Sequence, residues 1–268
     1  MTGTALDPGT DLLHGLETLP GIGLDSLTAR AALMTRIDRK YLVPGPLARQ
    51  LITELADRAL VLDIDGRRRF RYRSTYYDTA DLTAFRAAAG RRRRKYKVRR
   101  RDYLDTGASF LEVKTNTGLG ASRKQRIPVH AEELGAAHRA FVDEALTTAG
   151  CPVPTAPLHP VLGTRYDRST ILLASEATRL TLDAQLTWES SPVGPSRALH
   201  ELVVIETKTA HRPGTADHYL WDHGHRPVRL SKYATGMALL DPSLGANRWH
   251  RTLQRIRTDQ DPTTRSIR

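Results

Sequence analysis

The chain is short of cysteine, of aromatic side chains and of long apolar runs, and each shortage removes a class of explanation. Cys151 is the only cysteine in 268 residues. That excludes an intrachain disulfide and any zinc site built from several cysteines, and it fits a reducing cytoplasm. Aromatic residues make up only 6%, so stacking platforms for nucleic-acid bases are poorly supplied. No stretch approaches the roughly 20 apolar residues that span a bilayer. The first residues, MTGTALDPGTDLLHGLE, lack the basic flank and apolar run of a signal peptide. The expectation is a soluble, cytoplasmic chain. The histidines contain no HExxH pair, and Gly118-Leu119-Gly120 lacks the third glycine and the helix of a dinucleotide fingerprint.

Positive charge is plentiful and unevenly placed. The net charge is +12. Arg67–Arg73 holds five arginines and Arg91–Arg101 nine basic residues, with no acid in either run. Those two runs exceed the whole surplus, so the remainder of the chain is close to neutral. Cation density of this local kind suits a polyanion such as phosphate, nucleic acid or an anionic membrane.

Periodicity divides the chain into strands with helices at their connections. Strands are predicted over 35–43, 70–77, 95–103, 110–114, 123–129, 161–173, 178–188 and 201–209. Helices are predicted over 46–60, 82–89, 131–149, 215–222 and 231–240. Residues 11–34 carry helical spacing and form a lead-in, residues 1–10 and 257–268 are read as disordered ends, and 190–198 as a loop. The domain proper spans 35–242. Mostly antiparallel strands interrupted by helices argue α+β with a closed eight-stranded barrel and the helices outside.

The strands alternate, and their polar faces share one character. They offer Arg36/Asp38/Lys40, Arg71/Arg73, Lys97/Arg99/Arg101, Glu112/Lys114, Lys124/Arg126, Arg168, Arg179/Asp183 and Glu206/Lys208. An outer solvated face normally mixes signs, because like charges opposed across strands repel. Cations recurring strand after strand suggest a lumen that a multiply charged anion occupies. Arg supplies forked donors for phosphate oxygens and Lys a compact charge. The few acids, Glu112 and Glu206 among them, remain to hold a metal ion. Arg91–Arg94 fit an entrance that steers anions inward. A nucleic-acid patch is the competing reading of that run, but it precedes a hairpin and has no recognition helix. Ser231 fits a helix N-cap, and Tyr76 and Tyr77 fit packing positions.

The motifs RIDRKYLV, RYRSTYYDTADLTAF, KYKVRRRDY, FLEVKT, SRKQRIPV, RYDRS, RLTLDAQLTW, LVVIETKT and RLSKYATG occur in this order over roughly residues 35–240. Together they resemble the VTC (vacuolar transporter chaperone) polyphosphate-polymerase domain, of the CYTH-like triphosphate tunnel metalloenzymes. The resemblance implies a tunnel of eight antiparallel strands that binds a nucleoside triphosphate with Mn or Mg and extends polyphosphate. It implies phosphate contacts from Lys40, Arg99, Arg101, Lys114, Lys124, Arg126, Arg168 and Lys232, with Glu206 as metal ligand. Arg71, Arg73 and Lys208 are added as phosphate-binding and Glu112 as a second metal ligand from their strand faces. Hydrolytic and cyclase relatives open with Glu-x-Glu-x-Lys, where this chain has Arg36, Asp38 and Lys40. That departure resembles the polymerase branch. A triphosphatase of the same fold and a non-catalytic polyphosphate- or nucleotide-binding module are the alternatives. No sequence-specific nucleic acid is expected, and a membrane partner protein and the oligomeric state are left open.

Overall fold

The computed structural model describes residues 11–30, 37–117, 122–130, 134–191, 193–210 and 212–260. Arg36, Gly118-Leu119-Gly120 and the two predicted disordered ends, save 257–260, lie outside the described residues. The strands are β1 (Gly21–Ile22), β2 (Ile37–Pro44), β3 (Ala59–Leu62), β4 (Phe70–Asp78), β5 (Arg94–Tyr103), β6 (Ser109–Thr117), β7 (Ser122–Pro128), β8 (His159–Leu173), β9 (Thr178–Ser190), β10 (Ser196–Ala198) and β11 (Leu202–Thr209). The helices are α1 (Leu24–Arg30), α2 (Gly45–Glu54), α3 (Thr83–Ala89), α4 (Ala136–Thr148), α5 (Thr215–Asp222), α6 (Lys232–Leu240) and α7 (His250–Gln260).

The eight predicted strands form one path in the order β2-β11-β9-β8-β4-β5-β6-β7, and every pairing along it is antiparallel. Three short strands lie off the path: β3 pairs with β8, β1 with β3 and β10 with β9. The class is α+β, as the pattern predicts. The closed barrel is not what the structure shows, because no hydrogen-bonded pairing joins the end strands β2 and β7 among the described residues. The sheet curls instead. Asp38 and Lys40 of β2 line the same cavity as Lys97 of β5 and Lys114 of β6, although four strands separate β2 from β5 in the sheet order.

The apolar strand faces point outward into two cores. Tyr96, Val98, Leu111 and Val113 pack with Phe85 of α3, Val142 and Leu146 of α4, Tyr233 of α6, and Leu253 and Ile256 of α7. Tyr41, Val43, Leu180, Leu182, Val203 and Ile205 pack with Leu47 and Leu51 of α2 and Leu220 of α5. Burying both sets leaves the opposite, charged face turned inward.

Local chemistry fixes the elements that matter to this face. The β5–β6 hairpin turns through Gly107 at φ +71°, a left-handed conformation that glycine adopts without a Cβ penalty. Helix α6 starts at Ser231, whose Oγ accepts from Ala234 N at 3.1 Å. Gly236 lets α6 lie against β9: a Cβ there would fall 2.2 Å from Trp188 Cδ1. Helix α7 covers part of what reads as a polar tail. Only Thr252, Leu253 and Ile256 of its eleven residues are buried, which is a narrow stripe in a polar segment.

Candidate functional site: a cationic inner face

Register places the charged residues in rows. Arg99 pairs with Glu112 across β5 and β6, and Glu112 with Arg126 across β6 and β7. Arg168 pairs with Asp183 across β8 and β9. Lys40 pairs with Glu206 across β2 and β11, and Asp38 with Lys208.

Three carboxylates act as hubs. Glu112 receives Arg99 Nε at 2.8 Å on Oε2 and Lys124 Nζ at 2.9 Å on Oε1, with Arg101 Nη1 at 4.0 Å. Burial opposes its ionisation, but Arg99, Arg101 and Lys124 outweigh it and hold the carboxyl at about 2. Asp183 takes a forked contact from Arg168, Nε at 2.6 Å and Nη2 at 2.8 Å, and a second cation from Lys232 of α6. It too lies at about 2, against burial, through Arg168 and Lys232. Glu206 meets Lys40 Nζ at 3.2 Å and also Lys208, which lies 3.8 Å from Asp38. Burial disfavours the Glu206 anion, and Lys40 and Lys208 nonetheless hold its carboxyl well below the usual range.

Aromatic rings line the same face. Tyr72 stacks on Tyr166 with ring centres 5.4 Å apart and planes 6° apart. The guanidiniums of Arg101 and Arg168 each lie 5.5 Å from the Tyr72 ring centre. Tyr166 OH accepts from Arg101 Nη2 at 3.0 Å, and Lys232 Nζ lies 4.4 Å from its ring. Burial opposes ionisation of Tyr166, yet Arg101, Arg168 and Lys232 pull its pKa below the usual phenol value. Arg101 is 7% exposed, and its Nε has no hydrogen-bond partner among the described residues. A buried donor of this kind suits an oxygen-rich ligand.

Lys97 is a cation of this face that the motif-based reading omits. Burial, then the charges of Lys114, Lys40, Arg99 and Lys95, push its pKa down to about 7. Its Nζ bonds Ser231 Oγ at 2.8 Å. Asp183, Tyr166 and Tyr76 also belong to this face and lie outside the residues that the resemblance implies. Tyr76, read as a packing residue, is buried but also accepts from Arg99 Nη1 at 3.3 Å. Strand alternation marks Asp183, whereas the two tyrosines carry no charge signal.

The structure brings Lys40, Arg99, Arg101, Lys114, Lys124, Arg168, Lys208 and Lys232 to the inner face with Glu112 and Glu206. Arg126 shares that face at the β7 edge, its guanidinium 4.6 Å from the Phe110 ring centre. Arg71 and Arg73 are a correction. Tyr72, Ser74 and Tyr76 are the inward residues of β4, so Arg71 and Arg73 point the other way, paired with Asp105 at 3.0 Å and Asp102 at 2.9 Å. The error arises because both faces of β4 are polar.

No group of three or more His, Cys, Asp or Glu side chains able to hold a metal stands together among the described residues. A hard divalent ion that arrives on phosphate needs only one or two protein carboxylates. Glu206 fits that role better than Glu112, because its contacts from Lys40 and Lys208 both fall on Oε1. Glu112 does not fit, since Arg99 and Lys124 occupy both of its oxygens.

Fold and site define an α+β protein whose curled antiparallel sheet carries a cationic inner face. The model of the VTC domain family matches residues 35–241, and the chain belongs to that family. Among solved structures it is similar to a proposed adenylate cyclase from Vibrio parahaemolyticus, at 13% identity and TM-score 0.42, over 76% of this chain and 98% of that one. It is also similar to a proposed adenylyl cyclase from Hippeastrum, described as having a dominant triphosphatase activity. There the identity is 18% and the TM-score 0.43, over 76% of this chain and 96% of that one. No curated protein matches the chain. No helix among the described residues is long and apolar enough to cross a membrane.

Proposed function

We propose that this protein is a polyphosphate polymerase that passes the terminal phosphoryl group of a nucleoside triphosphate, ATP in the first instance, to a growing polyphosphate chain. The observation that carries the reading is the inner face itself, where cations outnumber carboxylates on strands that curl toward one another. Family membership supports it.

Phosphoryl transfer needs alignment and charge neutralisation more than covalent help. Arg99, Arg101, Arg168 and Lys114 hold the donor's phosphates and stabilise charge developing on the transferred group. An ionised terminal oxygen of the acceptor chain attacks the γ-phosphorus. The bond from that phosphorus to the β–γ bridging oxygen breaks, and the nucleoside diphosphate leaves. An ionised acceptor needs no general base. Hydrolysis would need a base for water, and Glu112 and Asp183 are engaged by cations. A divalent ion, Mn or Mg, is the proposed cofactor; Glu206 would hold it, and it would neutralise phosphate charge.

Purified protein incubated with ATP and Mn²⁺ is expected to yield long-chain polyphosphate and ADP in step. Release of orthophosphate alone overturns the polymerase reading in favour of a triphosphatase. Saturable binding without turnover makes the protein a binding module.

A further inference from the structure

The inner face contains two electrostatic regimes. Around Glu112, Asp183 and Glu206 the cations are paired. At one end they are not. There a cavity of about 310 Å³ is lined by Lys95 and Lys97 of β5, Arg229 before α6, and Arg248 in the 3₁₀ turn Asn247–Trp249. None of these four forms an ion pair with a carboxylate among the described residues, though Asp38 also lines the cavity. Three of them are nevertheless held in place. Lys97 is bonded to Ser231, Arg248 Nη1 to Ala88 O at 3.3 Å, and Lys95 Nζ to Arg92 O at 3.5 Å. They also feel one another. Burial and then Arg229 and Arg91 lower the pKa of Arg248, while burial and then Arg248 lower that of Lys95.

Like charges anchored around one cavity raise the free energy of the empty protein, and a polyanion seated there offsets that cost. The cavity continues to Lys40 and Lys114, which belong to the site already described. We propose that Lys95, Lys97, Arg229 and Arg248 form a second anion subsite that grips the polyphosphate chain beyond the donor's three phosphates. Arg91 and Arg92 extend it onto the surface. The proposal rests on the polymerase reading for its ligand. A single-stranded nucleic acid is the competing polyanion. The small cavity and half-buried lysines favour the slimmer chain, which carries a charge on every phosphate without bases or sugars.

The test compares ligands of different length on the full chain. Wild type and Arg229→Gln/Arg248→Gln are titrated with inorganic tripolyphosphate, with polyphosphate of about a hundred units and with single-stranded DNA. Removing two charged contacts should weaken long-chain binding on the order of tenfold and leave tripolyphosphate within about twofold. Lys95→Gln is a second variant, with a smaller loss of the same kind, and a melting curve reports that each variant is folded. Equal losses for short and long chains, or no loss for either, overturn the proposal. An equal or larger loss for DNA assigns the cluster to nucleic acid and also overturns it. If wild type makes no polymer while the chain-length difference persists, the function falls and the subsite stands.

Discussion

At the scale of single residues, the account turns on charges that are paired or strained by their neighbours. Glu112 is ionised in the folded protein down to about pH 2. Its folded pKa is depressed, so its contribution is present above the unfolded carboxylate value, near 4.3, and is lost as pH falls from there toward 2. Glu112→Gln should therefore destabilise the protein at neutral pH by about 3 kcal/mol, because it leaves Arg99 and Lys124 without their anion. It should also flatten the loss of stability on acidification between those values. Denaturant titrations across pH check both; an unchanged acid limb contradicts the assignment. Lys97 destabilises where Glu112 stabilises. Its folded pKa of about 7 lies below the unfolded value near 10.4. The unfolded chain then binds the extra proton between those values, so stability rises with pH across that window. Lys97→Met should raise the melting temperature of the ligand-free protein more at pH 6 than at pH 10. An equal rise at both values contradicts the cause given for the shift.

At the scale of elements, α6 is the part most open to test. It carries Lys232 to Asp183 and Tyr166, and it can do so because Gly236 meets Trp188 closely. Gly236→Ala should push the helix away and cost about 1–3 kcal/mol through overpacking. Tripolyphosphate affinity should fall with it as Lys232 shifts. An unchanged melting temperature and affinity contradict this role for the contact. The elements also show what the sequence makes legible. β9 alternates one polar and one apolar face, and in β11 Glu206 and Lys208 alternate with Ile205 and Thr207, so the inward residues Asp183, Glu206 and Lys208 were readable. β4 alternates Arg71, Arg73 and Thr75 with Tyr72, Ser74 and Tyr76. Neither set is plainly apolar, so charge suggested the wrong face, and only the acids Asp102 and Asp105 decide the matter. Helix α7 is hard to read from sequence because three buried residues in a polar segment leave a weak helical signal.

At the scale of the whole molecule, the eight strands and the charged face were legible, because each strand buries one face against helices. Sheet closure was not, since it depends on hydrogen bonds between end strands distant in sequence. The metal also belongs to this scale. On the proposal that Glu206 holds the ion, removing divalent ions with a chelator should abolish transfer, while restored Mn²⁺ recovers it in wild type and poorly in Glu206→Gln. Full transfer with chelator present contradicts the metal's role. The central claim is that phosphate chains bind the inner face and not the arginine-rich exterior. The direct measurement is equilibrium binding of a non-hydrolysable triphosphate analogue to two double variants, Arg99→Ala/Lys114→Ala on the inner face and Arg71→Ala/Arg73→Ala on the outer. The account predicts near-complete loss of binding in the first and affinity close to wild type in the second; retained binding in the first with loss in the second would contradict it.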